Sequence, residues 1–305
     1  FLASWRILLL APLLLGLAGC GHDGGGVDPA SYRLSVEQWR ERRIAELMSD
    51  EGWLSYTGSG RLREGRYTVG SGQDNTLRLP SGPAQLGILE LAGDGTAVFT
   101  ATAGSGATVE GRPFERVVMH PAIVGGSAPT RVQVGSATFH LARSGTVSGW
   151  RYRDPEAGNA ERLGHIDHFP VDLQWRVVAT WHAFPEPQPI TLLSSIGTPI
   201  EGSSPGMAVF ERGGRTYQLR PVLIPGGDGR MFFPFTDRTS GRESYGGARY
   251  LYAEQPFEGE LVLDFNLAQN PPCALTPHVV CPIAPPGNHL ELAVDAGEKN
   301  YLAPQ

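Results

Sequence analysis

Asp237, Thr239, Tyr245, Arg249, Asp264 and Asn266 bring two carboxylates, a guanidinium, two hydroxyls and a carboxamide into one stretch of chain, each flanked by strand-forming residues. Gathered at the mouth of an open cavity, such groups can bind or turn over a small polar or carbohydrate-like ligand. Sealed inside a core, they must neutralise one another, because an unpaired buried charge is costly. Alternation along a strand places Asp264 and Asn266 on one face. The set is therefore read either as a ligand or catalytic cluster or as a structural ion-pair network, and solvent access separates the two.

Cys273 and Cys281 enclose seven residues in a segment stiffened by Pro271, Pro272, Pro277 and Pro282. A disulfide is the first expectation in an exported protein, and closing so short a loop contributes on the order of 2 to 3 kcal/mol. Zinc held by Cys273, His278 and Cys281 would need a fourth ligand that the sequence does not offer nearby. A reactive thiol would need a neighbour that lowers its pKa. His165-Ile166-Asp167-His168 invites a metal or acid–base role, but alternation sends His168 to the opposite side from His165 and Asp167, so a polar linker is expected. Gly202-Ser203-Ser204-Pro205-Gly206 has the spacing of a hydrolase nucleophile elbow. Pro205 lacks the N–H that an oxyanion hole requires after the serine, and a turn between strands fits better. No metal site and no cofactor are expected.

These groups need elements to hold them. Ser35-Val36-Glu37-Gln38 is a capping-box pattern, and Leu34, Trp39, Ile44, Leu47 and Met48 follow near helical spacing, so one helix is expected over 36–48. Glu37, Arg40, Glu41, Arg42 and Arg43 form its expected solvated face. From about 61 to 154 short alternating segments such as 86–91, 96–100 and 131–134 are separated by glycine turns, including Gly93-Asp94-Gly95, and read as a β-sandwich. A second β-rich region opens with a long strand at 173–181, which Pro185, Pro187 and Pro189 are expected to stop. Further strands are expected at 207–210, 216–219, 231–235, 249–252 and 260–265. The 40 glycines and 25 prolines suit many short strands joined by tight turns. The fold class is all-β, with two β-rich domains, an N-terminal sandwich and a C-terminal antiparallel barrel or sandwich, and one N-terminal helix. The divisions are a signal peptide at 1–19, a tether at 20–30, helix and connector at 31–57, the sandwich at 58–155 and the C-terminal β domain at 165–305, with a linker near 155–170.

The apolar run Ile7 to Leu17, interrupted by Pro12 and Gly16 and followed by Ala18-Gly19-Cys20, is too short to span a bilayer and has the form of a lipoprotein signal. Cys20 is the expected lipidation site, and acyl chains there would anchor the protein at roughly 0.8 kcal/mol per buried methylene. Gly21 rather than Asp after that cysteine points to the periplasmic face of the outer membrane in a diderm host. The formal net charge is −6, Lys299 is the only lysine, and the arginines are scattered. Nucleic acid is therefore not an expected partner.

The motifs Phe235-Thr236-Asp237-Arg238-Thr239-Ser240-Gly241, Tyr245-Gly246-Gly247-Ala248-Arg249-Tyr250-Leu251, Leu263-Asp264-Phe265-Asn266, Asn270-Pro271-Pro272-Cys273-Ala274, Cys281-Pro282-Ile283-Ala284-Pro285-Pro286, Asn288 and Ala296-Gly297-Glu298-Lys299 run through the C-terminal half. In them the chain resembles a bacterial family known only as domain-of-unknown-function family 1684. The resemblance extends to Trp39-Arg40 and Gly52-Trp53-Leu54-Ser55, and it departs at Gln269, where such sequences carry an aromatic ring. Residues Arg66 to Leu79 are faintly similar to the opening of a forkhead-associated sandwich, a phosphothreonine reader. Ser71 stands where those modules have an arginine beside the first glycine, and Ser81-Gly82-Pro83-Ala84 replaces their Ser-x-x-His loop, so only the shape is expected to carry over. The expected role is an envelope lipoprotein acting as a ligand-binding or interaction module. The alternative is an enzyme using Asp237, Asp264 or Arg249 on a small polar or carbohydrate-like ligand.

Overall fold

The computed structural model describes residues 27–123, 126, 128–157, 164–223 and 229–301. The stretch expected to be a signal peptide, Cys20 and most of the expected tether lie outside the described residues. Among the described residues no helix is long and apolar enough to cross a membrane.

The N-terminal helix α1 spans Pro29–Met48, about two turns longer at its start than the capping box implies. Asp28 is the true N-cap, its Oδ2 accepting from the Ser31 N–H at 2.8 Å, and Pro29 occupies the first turn, where a missing N–H is harmless. Ser35 lies inside the helix and bonds the Tyr32 carbonyl. The buried face is Tyr32, Val36, Arg43 and Leu47, whereas Leu34 is 59% exposed. The expected solvated face thus loses Arg43, because a buried carboxylate waits for it on the C-terminal domain.

Eleven strands build the sandwich: β1 (Tyr56–Leu62), β2 (Gly65–Gly70), β3 (Leu77–Arg78), β4 (Gly87–Leu91), β5 (Ala97–Ala101), β6 (Thr108–Val109), β7 (Arg112–Pro113), β8 (Arg116–Val118), β9 (Arg131–Val134), β10 (Ala137–Ser144) and β11 (Val147–Arg153). One sheet runs β1-β11-β10-β9-β6-β7 and the other β3-β2-β4-β5-β8. Alternation drives the packing. Leu89 and Leu91 of β4 point inward while Glu90 faces solvent, and Phe99 of one sheet meets Phe139 of the other with ring centroids 5.8 Å apart. Gly95 takes φ +86° in the β4–β5 turn, and Asp94 accepts from the Thr96 N–H at 2.8 Å.

The C-terminal domain holds β12 (Arg176–Leu193), β13 (Pro199–Arg212), β14 (Arg215–Leu219), β15 (Met231–Asp237), β16 (Arg249–Ala253), β17 (Glu260–Asp264) and β18 (His289–Leu290). A four-stranded sheet, β14-β13-β12-β17, and a three-stranded sheet, β16-β15-β18, enclose one core as a half-barrel. Phe265 sits at its centre, its ring 5.4 Å from Phe235 and 5.8 Å from both Phe210 and Trp175.

The expected stop at the proline cluster does not occur. β12 runs through the cluster because the ladder with β13 skips Pro185 and Pro187: Ala183 pairs with Gly206, the next pair is Gln188 with Ser204, and Pro189 rejoins the ladder opposite Ser203. The bulge leaves Pro185 and Pro187 where no ladder N–H is required. It also bends the hairpin. Its proximal half covers the half-barrel core, and its distal half places Leu192 and Ile200 in a second cluster with Val222, Phe232, Tyr250, Val279, Cys281 and Tyr56 of β1.

Candidate functional site

The hydrogen bonds divide the six polar candidates into three groups. In the first, Asp237 accepts from five donors. Oδ1 takes the Thr239 N–H at 2.9 Å, the Thr239 hydroxyl at 2.7 Å and the Ser240 hydroxyl at 3.3 Å. Oδ2 takes Arg249 Nη2 at 2.6 Å and the Val294 N–H at 2.9 Å. Arg249 is 0% exposed and also donates to the carbonyls of Ala296 and, at 2.9 Å, Val294. Burial pulls its guanidinium below the ordinary value while Asp237 pushes it back up. A carboxylate this saturated has no lone pair to offer a ligand; it welds β15, β16 and the C-terminal segment together.

Asp264 and Asn266 form the second group, Asp264 at the end of β17 and Asn266 in the short 3-10 turn Phe265–Leu267 that follows rather than on the strand, and their partner is the N-terminal helix. Tyr32 donates its hydroxyl to Asp264 (2.7 Å to Oδ1, 2.8 Å to Oδ2), and Asn266 Nδ2 donates to the Tyr32 oxygen at 2.9 Å and to the Asp172 carbonyl at 2.8 Å. Burial raises the Asp264 pKa, opposed by the hydrogen bonds from Tyr32 and Asn266 and by Arg176. Burial, then Asp264, raises that of Tyr32. Nearby, Glu298 accepts from Arg43 Nε at 2.9 Å and from the Asn270 N–H at 2.6 Å, and Arg43 Nη2 reaches the Asn270 carbonyl. Tyr32, Arg43 and Asn270 escaped sequence reading. The i, i+4 spacing of Tyr32 and Val36 was the available signal for the first.

Tyr245 belongs to the third group, around the cysteines. The structure brings Cys273 and Cys281 together as free thiols, the Cys273 N–H donating to Cys281 Sγ at 3.2 Å. The Tyr245 hydroxyl lies 3.9 Å from Cys273 Sγ. Gly247 permits this, since a Cβ there would stand 2.9 Å from the Tyr245 ring. Cys281 is buried and Cys273 half-buried. The hairpin tip clamps the former: the Ser195 N–H donates to the Cys281 carbonyl at 2.7 Å, and the Cys281 N–H to Ser195 Oγ at 3.3 Å. A hydrogen bond from Cys281 lowers the Cys273 pKa to about 7 and raises that of Cys281. His278 turns away to Ser59 Oγ at 3.0 Å, and among the described residues no three metal-ligating side chains converge.

His165 pairs with Asp167 at 2.9 Å on the surface, while His168, whose pKa burial depresses to about 4, bridges to Glu298 through the backbone. Residues 202–206 lie within β13, with no helix following Ser204.

A groove of about 380 Å³ opens elsewhere, between the edge strands of the two C-terminal sheets. Arg215, Thr216, Tyr217 and Gln218 line it from β14; Gly287, His289, Leu290 and Glu291 line it from β18 and its flanks. Tyr217 stacks on Phe210, with centroids 5.6 Å apart, and the His289 imidazole contacts Thr236 Oγ1 at 3.0 Å. Asn288 closes one end of this seam like a rung of ladder, accepting from the Arg220 N–H at 2.9 Å and donating to the Arg220 carbonyl at 2.8 Å.

Residues 161–299 match the model of the family described as "Protein of unknown function (DUF1684)". Among solved structures, an uncharacterized protein of Haloarcula marismortui is 31% identical; the match covers 45% of this chain and 77% of that one, with a TM-score of 0.38. No curated protein matches the chain.

Proposed function

The chain belongs to the DUF1684 family, described as proteins of unknown function, and we propose that it is an envelope lipoprotein, anchored through Cys20, that works as an interaction module. Its receiving surface is the groove between β14 and β18, and its partner is an extended polypeptide segment with polar side chains. In a diderm host the module stands at the periplasmic face of the outer membrane.

The observation that carries this reading is the seam itself. Both walls of the groove are sheet edges, and an edge presents unladdered N–H and C=O groups that an incoming strand can pair with. Arg215 supplies a positive charge and Tyr217 an aromatic surface two residues along the same strand, while Glu291 on the facing wall is paired with Arg238. An enzyme centred on Asp237, Asp264 or Arg249 finds less support, because Asp237 and Arg249 are sealed and paired with each other and Asp264 is held by Tyr32.

The test is selection of a displayed random-peptide library on the full mature chain, followed by hydrogen exchange with a selected peptide. Protection of the amides of 215–219, with binding lost in Arg215→Glu and Tyr217→Ala, is the expected result. Peptides that bind both variants unchanged, or protect no amide there, overturn the groove assignment. Fatty-acid labelling that survives Cys20→Ala overturns the anchor.

A further inference from the structure

We infer that Cys273 and Cys281 form a dithiol–disulfide exchange site whose substrate is a low-molecular-weight disulfide, with Cys273 as the attacking sulfur and Cys281 as the resolving one. This reading is independent of the groove. It rests on an asymmetry between two cysteines joined by the Cys273 N–H to Cys281 Sγ bond: Cys273 is partly open to solvent, whereas Cys281 is 4% exposed and held by Ser195 through both its N–H and its carbonyl.

The surroundings supply what such chemistry requires. The attacking species is a thiolate, so a neighbour must stabilise negative charge on sulfur. The Cys281 thiol and the Tyr245 hydroxyl both face Cys273 Sγ, and each can donate to it. The resolving sulfur must stay within reach and must not react first. The Cys273 N–H holds Cys281 Sγ at 3.2 Å, and burial of Cys281 keeps external disulfides away from it. The hairpin tip braces the same segment from the other side, through the Ile283 N–H to the Leu193 carbonyl at 2.8 Å.

The exchange balances in two steps. Cys273 thiolate attacks one sulfur of R–S–S–R, forming a mixed disulfide and expelling RS⁻. Cys281, losing its proton to solvent or to that RS⁻, then attacks Cys273 Sγ and expels the second RS⁻. The protein dithiol is oxidised to a disulfide, and the small disulfide is reduced to two thiols. Tyr245 is a positioning residue: it orients and stabilises the Cys273 thiolate without itself exchanging bonds.

The experiment mixes the reduced full mature chain with glutathione disulfide, quenches in acid and reads intact mass. The expected product of the wild type has lost two hydrogens and carries no glutathione, and a monothiol-to-dithiol reductant series reopens it. Cys281→Ser is expected to stall as a glutathione adduct at Cys273, and Cys273→Ser to stay unmodified. Because either serine variant can fail to fold, a second readout uses wild type and Tyr245→Phe. Alkylation of Cys273 by iodoacetamide is expected to rise with pH about a midpoint near 7 in the wild type, and at higher pH in the phenylalanine variant. Labelling of Cys281 before Cys273, a stable glutathione adduct on the wild type, or a bridge that no reductant opens overturns the proposal.

Discussion

Arg43, near the end of the N-terminal helix, donates through Nε to Glu298 Oε1 at 2.9 Å, and the side chains are 9% and 1% exposed. The pair fastens α1 to the C-terminal domain 255 residues later in the chain. Together with Tyr32 on Asp264, it makes the helix part of the C-terminal domain rather than a spacer before the sandwich. Removing one member of a buried pair strands the other, which is more damaging than replacing both. Glu298→Ala is expected to destabilise the protein by about 3 to 5 kcal/mol in urea unfolding, and the double variant Arg43→Met/Glu298→Leu by less than that.

The Arg249–Asp237 pair answers to the same reasoning with more at stake, since five donors converge on one carboxylate. Asp237→Ala is expected to prevent accumulation of soluble folded protein or to lower its stability by more than about 4 kcal/mol. Circular dichroism melts of the purified variant provide the check.

Asp264 makes a pH-dependent contribution whose sign is fixed by its raised pKa. The folded state holds the proton more tightly than the unfolded chain, so this contribution is present below the ordinary value of 3.8 and is lost as pH rises through the folded pKa. Stability profiles by denaturant titration across the acid range should show this segment flattened in Asp264→Asn. Tyr32→Phe removes a hydrogen bond that lowers the Asp264 pKa and is expected to cost about 1 to 3 kcal/mol at neutral pH.

His140 works in the opposite direction. Burial, then Arg151, Arg131 and Arg153, depress its pKa from 6.5 to about 3. A depressed histidine leaves stability intact above the unfolded value and removes it as pH falls through 6.5 toward the folded value, at roughly 1.4 kcal/mol per pH unit at most. His140→Leu is expected to lose that slope between pH 6 and 4, as read by thermal unfolding.

Asn288 closes one end of the seam with three hydrogen bonds, to the N–H and carbonyl of Arg220 and to the Pro234 carbonyl. Asn288→Ala is expected to destabilise the protein by about 2 to 4 kcal/mol. Hydrogen exchange should speed up first at residues 215–220, and an unchanged exchange rate there would refute the closing role of Asn288.

Alternation and turn residues determined the all-β class, the sandwich and most C-terminal strands, because a period of two and glycine turns are local properties that survive in the bare sequence. Leu89, Phe99 and Phe139 announce their inward faces by their neighbours alone. Local reasoning failed where a distant partner changed the outcome. The capping box at Ser35 lost to Asp28 and Pro29, and the earlier start places Tyr32 on the helix, where it gains its buried partner Asp264. The proline cluster ended no strand because a register break opposite β13 absorbs Pro185 and Pro187 and the ladder resumes through Gln188 and Pro189. The six polar residues belong to three neighbourhoods because each charge was matched by a group far along the chain: Val294 for Asp237, Tyr32 for Asp264, Cys273 for Tyr245. Residue type declares that a buried charge must be neutralised; only tertiary packing decides which group neutralises it.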